Sequence, residues 1–143
     1  MATTKERTIN GLALFGGCNR DDVRWIAQHA DEIDVPAGRT IACDGETARE
    51  FVVVIDGVCS VRAADDEVLL GRGSYYGEVG MMTNAAQRGT LTTRTRTRVL
   101  VFGVAAFRGL IDRAPAVRGV LLRDLSERVR ETDHELLSLR AVS

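Results

Sequence analysis

Between Glu32 and Phe102 the chain reads as a succession of short β-rich runs: Ile33–Val35, Thr40–Ala42, Phe51–Ile55, Val58–Ala63, Glu67–Leu70 and Leu91–Phe102. Gly, Asp and Asn part them, as turn residues part strands. Runs this short at this spacing predict an antiparallel β-roll or jelly roll. Both flanks carry a helical pattern instead. Asn19 can cap a helix through Asp21 to Ala30, with acidic residues in its first turn. From Val104 onward the pattern is helical again, and Pro115 suits the first turn of a final helix. The expected architecture is mainly β with flanking helices, an N-terminal helix and a long C-terminal helix. It forms one domain over residues 1–143, with the roll at about 32–103 and the helical part at about 104–140.

A chain of 143 residues hides roughly two-thirds of its unfolded surface, enough for one core without disulfides or metals. Its net charge of −1 points to neither bulk nucleic-acid binding nor membrane attachment. Leu12-Ala13-Leu14-Phe15 is too short for a signal-peptide core, and no window reaches membrane-spanning length. Cys18, Cys43 and Cys59 are odd in number and widely spaced, so reduced, mostly buried thiols in a cytoplasmic protein are expected.

Chemistry concentrates in Gly71-Arg72-Gly73-Ser74-Tyr75-Tyr76-Gly77-Glu78-Val79-Gly80, followed after a short insert by Arg88. Glycines at 71, 73, 77 and 80 permit positive φ and let a ligand approach the backbone, so N–H groups can converge on an anion. Val79 to Met82 can form a helical turn whose free N–H groups face the same anion. Arg88 supplies a guanidinium that matches phosphate oxygens. Glu78, acceptor-only when ionised, suits a sugar hydroxyl. The segment reads as a pocket for a phosphorylated ribose.

The same residues resemble the phosphate-binding cassette of cyclic nucleotide-binding domains, with Tyr76 at a position usually held by Phe and with Gly73, Gly77, Glu78, Gly80 and Arg88 matching. Pro36-Ala37-Gly38, Gly45-Glu46, the Phe51 to Ile55 run and Gly57 stand upstream in the family's order. Phe107, Leu110-Ile111 and Pro115 stand downstream, so the resemblance spans roughly residues 10 to 135. It implies a cyclic nucleotide ligand, cAMP before cGMP and no metal. The ligand would be held by Gly77, Glu78, Val79, Gly80, Arg88, Gly89 and Thr90. Guanine-selective relatives commonly place Thr directly after the arginine, where this chain has Gly89.

Leu122, Leu125, Val129, Thr132, Leu136 and Leu139 recur at alternating spacings of three and four, a coiled-coil seam or an amphipathic helix packed on its own roll. In bacterial catabolite activator proteins the corresponding helix pairs with a second chain and sets a Thr and its neighbour against the adenine. The resemblance assigns those places to Thr132 and Asp133, the latter a departure from the usual hydroxyl residue. After Leu139 no room remains for a helix-turn-helix unit. The expectation is a free-standing sensor, a homodimer through the last helix, acting on a client protein, with no nucleic acid and no membrane as partner.

Arg94, Arg96 and Arg98 alternate with threonines, which predicts the solvated face of an outer strand. Arg94 stands where the family usually has an apolar residue. His29 and His134 are far apart, His29 reads as a helix-surface residue, and no nucleophile or metal motif occurs, so catalysis is not expected. The rival reading is a nucleotide-silent dimeric scaffold or docking module. Gly89 and Thr90 motivate it, because strongly binding relatives often place a small residue such as Ala or Ser just after the arginine and Ala next, where Thr90 crowds the second position.

Overall fold

Phe51-Val52-Val53-Val54-Ile55 has no polar face because both of its faces are covered. The structure, a computed structural model, describes residues 1–127. In it this run lies in strand β3 (Glu50–Asp56). Val52 and Val54 join Cys59, Leu91, Val99 and Val101 in one buried cluster, while Phe51, Val53 and Ile55 join a second, larger one with the helices. Alternate side chains of a strand point to opposite faces, so a strand buried on both sides reads as a continuous apolar run.

The other strands are β1 (Asp31–Val35), β2 (Thr40–Ala42), β4 (Cys59–Ala63), β5 (Asp66–Leu70), β6 (Tyr75–Tyr76), β7 (Thr90–Thr93) and β8 (Thr97–Gly103). They form two four-stranded antiparallel sheets, in the orders β1-β8-β3-β6 and β2-β7-β4-β5. This is the expected β-roll with flanking helices.

Helix α1 (Thr4–Asn10) and a 3-10 turn (Ala13–Phe15), neither foreseen from the sequence, precede α2 (Arg20–His29). Asn19 caps α2 by accepting the Asp22 N–H at 2.8 Å, as its place before Asp21-Asp22 predicted. His29 is exposed and stacks on Trp25 at 4.2 Å between centroids, a surface residue as expected. Helix α4 (Val104–Arg113) follows β8 and sets Phe107 5.1 Å from the Phe51 ring. The chain then breaks at Ala114 and resumes as helix α5 from 115 to 127, with Pro115 at its first position. Leu121 is fully buried, whereas Leu122 is 46% exposed. The leucine closing α5 onto its own domain is therefore one not assigned to the seam, and Leu122 looks outward. Val129, Thr132, Asp133, Leu136 and Leu139 lie outside the described residues.

One expected strand is two. Leu91 to Phe102 divides into β7 and β8, which belong to different sheets. The arginines therefore do not share one strand face. Arg94 lies past the end of β7 and pairs with Glu67 at 2.7 Å, while Arg98 reaches Asp34 at 3.3 Å and Arg96 the same carboxylate at 3.9 Å. Val58 makes the crossing: its N–H donates to Thr95 Oγ1 at 3.0 Å and its carbonyl accepts the Arg94 N–H at 2.8 Å. Of the three free cysteines only Cys59 is buried; Cys18 and Cys43 are half-buried.

Candidate functional site

Strand β6 delivers the chain to the glycine cassette, and the phenylalanine cluster anchors that strand. Phe51 packs against Tyr75 at 5.8 Å and Phe102 at 5.6 Å. Next, Gly77 lies at φ +105, and a Cβ there would run into the Glu50 carbonyl oxygen. Left-handed backbone and close approach both require glycine here. Gly73 is also left-handed, at φ +86, whereas Gly71 and Gly80 do not use the positive φ that glycine permits. Gly80 serves space instead: an added Cβ would stand 2.6 Å from the Ala48 Cβ.

Helix α3 (Glu78–Thr83) extends the helical turn expected over Val79 to Met82. Glu78 opens it and is 1% exposed, so the cassette's carboxylate is held inside, at the end of a helix where negative charge is favoured. At the far end of the cassette Arg88 is exposed. Among the described residues no hydrogen bond or ion pair engages its guanidinium. The sequence thus places one charge buried and one outward, at opposite ends of the insert.

The insert is bound back onto the β2–β3 connection. Gln87 donates its N–H to the Glu46 carbonyl at 2.8 Å, and its own carbonyl accepts the Gly45 N–H at 2.8 Å. Gly89 follows at φ +124, where a Cβ would stand 2.9 Å from Val61 Cγ1 and 3.2 Å from the Arg62 carbonyl oxygen. Its N–H donates to Asp44 Oδ1 at 3.1 Å, and its carbonyl accepts the Tyr76 hydroxyl at 3.0 Å. Thr90 Oγ1 in turn accepts the Asp44 N–H at 3.1 Å. The amide expected to face an anion is already held by a carboxylate of the chain itself.

A cavity of about 520 Å³ opens beside this clasp, lined in part by Ile41, Cys43, Glu46, Glu50, Tyr76 and Gln87. That volume suits a small-molecule ligand. Tyr76 and Gln87, both within the segment from Gly71 to Arg88, carry the cassette into the cavity wall, whereas Gly77, Glu78, Arg88 and Gly89 are not among the lining residues. Sequence reasoning missed Cys43, Asp44 and Gln87 as site residues; the one signal near them was Gly45-Glu46. Burial raises the Cys59 thiol's pKa, and burial together with the nearby Asp22 raises that of Cys18. Among the described residues no cluster of His, Cys, Asp or Glu could hold a metal ion, and no helix is long and apolar enough to cross a membrane.

The profile of the cyclic nucleotide-binding domain matches residues 32–114. A CRP-like cAMP-activated global transcriptional regulator of Mycobacterium tuberculosis is 25% identical over 132 residues, covering 88% of this chain and 59% of the regulator. The chain therefore spans little more than half of that relative. Among solved structures, the catabolite activator protein of Thermus thermophilus superposes with a TM-score of 0.76 at 26% identity, over 88% of this chain and 62% of that one. The regulatory subunit of a cAMP-independent protein kinase A from Trypanosoma brucei superposes at 0.79 with 18% identity, over 94% of this chain and 50% of its own; it shows the fold alone.

Proposed function

The chain belongs to the cyclic nucleotide-binding domain family, and from that premise we propose that it binds a 3′,5′-cyclic purine nucleotide, cAMP ahead of cGMP, as a cytoplasmic sensing module that acts through another polypeptide. Domains of this family sense a ligand and are not catalysts. The observation that carries the reading is the cassette's charge arrangement, with Glu78 buried at the head of α3 and Arg88 exposed at the other end of the insert. Arg88 and the amides at Val79, Gly80 and Gly89 take the cyclic phosphate, and Glu78 accepts from the ribose 2′-hydroxyl. Gly89 brings no hydroxyl to a guanine, which sets cAMP ahead. The exposed Leu122 supports a helix that pairs with a second chain or a client. Thr132 and Asp133 remain candidate contacts of that second chain with the purine.

Isothermal titration of the folded, nucleotide-free protein with cAMP and with cGMP tests this. Heat on adding cAMP, with weaker binding of cGMP in direct competition, is the expected result. Tighter cGMP binding refutes the preference. Noise-level heat with both ligands favours the second reading, a nucleotide-silent dimeric scaffold. One observation gives that reading weight: the Gly89 peptide is already bonded at both its N–H and its carbonyl.

A further inference from the structure

We propose that Asp44 sets the affinity of this pocket by competing with the ligand's phosphate for the Gly89 N–H. The inference rests on the cyclic nucleotide reading and adds to it a residue that no cassette pattern contains. Asp44 lies on the β2–β3 connection, 45 positions from Gly89, and its Oδ1 accepts the Gly89 N–H at 3.1 Å. Its own N–H is tied to Thr90 Oγ1 at 3.1 Å, so the backbone that carries the carboxylate is pinned beside the start of β7.

Three physical consequences follow. A backbone N–H next to Arg88 is a natural donor to a phosphate held by that arginine, and a carboxylate oxygen already uses it. A cyclic phosphate is an anion, so it must displace Asp44 from the amide and also tolerate a like charge nearby. The amide cannot be reoriented to serve both, because Gly89 sits at φ +124 between Val61 and Arg62, and its carbonyl is held by the Tyr76 hydroxyl at 3.0 Å. Asp44 itself is exposed, so on displacement its carboxylate passes into water with little loss. The chain therefore carries its own exchangeable anion at the cassette, and ligand binding is a replacement rather than an addition.

The test is titration of cAMP into the full chain and into Asp44→Ala, Asp44→Asn and Arg88→Ala. Removing the competing carboxylate should tighten cAMP binding about tenfold in Asp44→Ala, equivalent to about 1.4 kcal/mol. Asp44→Asn keeps the shape and removes the charge, and should show a smaller tightening. In the parent, the Gly89 amide resonance should move on adding cAMP, and in ligand-free Asp44→Ala it should already be shifted from its parent position. A purely structural clasp predicts the opposite sign: Asp44→Ala would loosen the loop and bind more weakly. Unchanged or weaker binding in Asp44→Ala, with the parent still binding through Arg88, overturns the role of Asp44 and leaves the nucleotide reading standing. Absence of cAMP binding in the parent and in both Asp44 variants overturns both. Binding by Asp44→Ala alone would be the strongest support.

Discussion

The Tyr75 hydroxyl donates to Asp124 Oδ2 at 2.7 Å, across 49 positions of sequence, and so ties β6 to the closing helix α5. Tyr75 stands two residues before Gly77, and Asp124 three after the buried Leu121. A shift of the cassette strand is thereby felt by the helix whose outer face carries Leu122. Any ligand that binds the cassette better in one position of α5 than in the other will move that helix by its differential binding energy.

Tyr75→Phe isolates this tie, since the ring keeps its packing on Phe51 and only the hydroxyl is lost. Both partners are part-exposed, so water can take the place of the lost hydroxyl, and urea denaturation should show a loss of about 0.5–1.5 kcal/mol. Amide exchange over residues 118–127 should quicken in the variant and slow in the parent on adding cAMP. Equal exchange in all these states would remove α5 from the response to ligand.

Asp34 makes a second long-range tie, holding Arg98 of β8 from β1. The hydrogen bond from Arg98 is the main cause that keeps the Asp34 carboxyl below the ordinary aspartate range; desolvation opposes it, and the charges of Arg98 and Arg96 add smaller lowering effects. The depressed pKa means that the folded state holds the proton less readily than the unfolded chain. The stabilisation is therefore present above the ordinary aspartate range and is lost as pH falls through the lower folded value. Asp34→Asn should lower the neutral plateau of a stability–pH profile slightly, the pair being exposed, and shorten the fall of the acid limb by the same small amount. An unaltered acid limb would show that the pair contributes nothing.

The parts of the fold legible in the sequence are those set locally. Asn19 caps α2 through its neighbour three residues on, and the Phe51 to Ile55 run betrays a strand covered on both faces. Gly77 and Glu78 were legible as a motif because the turn and the helix start lie within the same few residues. What failed was set from a distance. Thr-Arg alternation from 93 to 98 has strand period and strand residues, and only the bonds of Val58 to Arg94 and Thr95 reveal a crossover between sheets. Strand β6 is two residues long, too short to carry a period of its own. Asp44 looked like an ordinary turn residue, and its meaning lies in an amide 45 positions away. Leu121 and Leu122 are adjacent leucines, and only packing decides which one faces inward.

Arg88→Ala should weaken cAMP binding by about 2 to 5 kcal/mol, the range for removing one partner of a desolvated charged pair. That is roughly 30-fold to several-thousand-fold in affinity. Because the guanidinium is exposed and unengaged among the described residues, the variant should unfold at the parent's midpoint when no ligand is present. Glu78→Ala should cost less in binding, about 1.5 to 3 kcal/mol for one charge-assisted hydrogen bond. It should also change the unfolding midpoint, since the side chain is buried. A parent-like cAMP affinity in Arg88→Ala would show that the cassette is not the phosphate site.

Cys43 offers a reporter that needs no substitution. It is half-buried and lines the 520 Å³ cavity, directly before Asp44. Burial raises the Cys59 thiol's pKa and, with Asp22, that of Cys18, which lowers their thiolate fraction near neutral pH, and the thiolate is the species that reacts. Iodoacetamide at neutral pH, followed by mass mapping, should therefore label Cys43 ahead of Cys18, with Cys59 last because it is also inaccessible. Saturating cAMP should slow labelling at Cys43 several-fold and leave Cys18, packed among the helices away from the cassette, at its original rate. Equal slowing at both cysteines would indicate a global stabilisation rather than occupancy of the cavity. Unchanged labelling at Cys43 under conditions where titration shows cAMP bound would place the nucleotide outside this cavity, on the Arg88 side of the clasp alone.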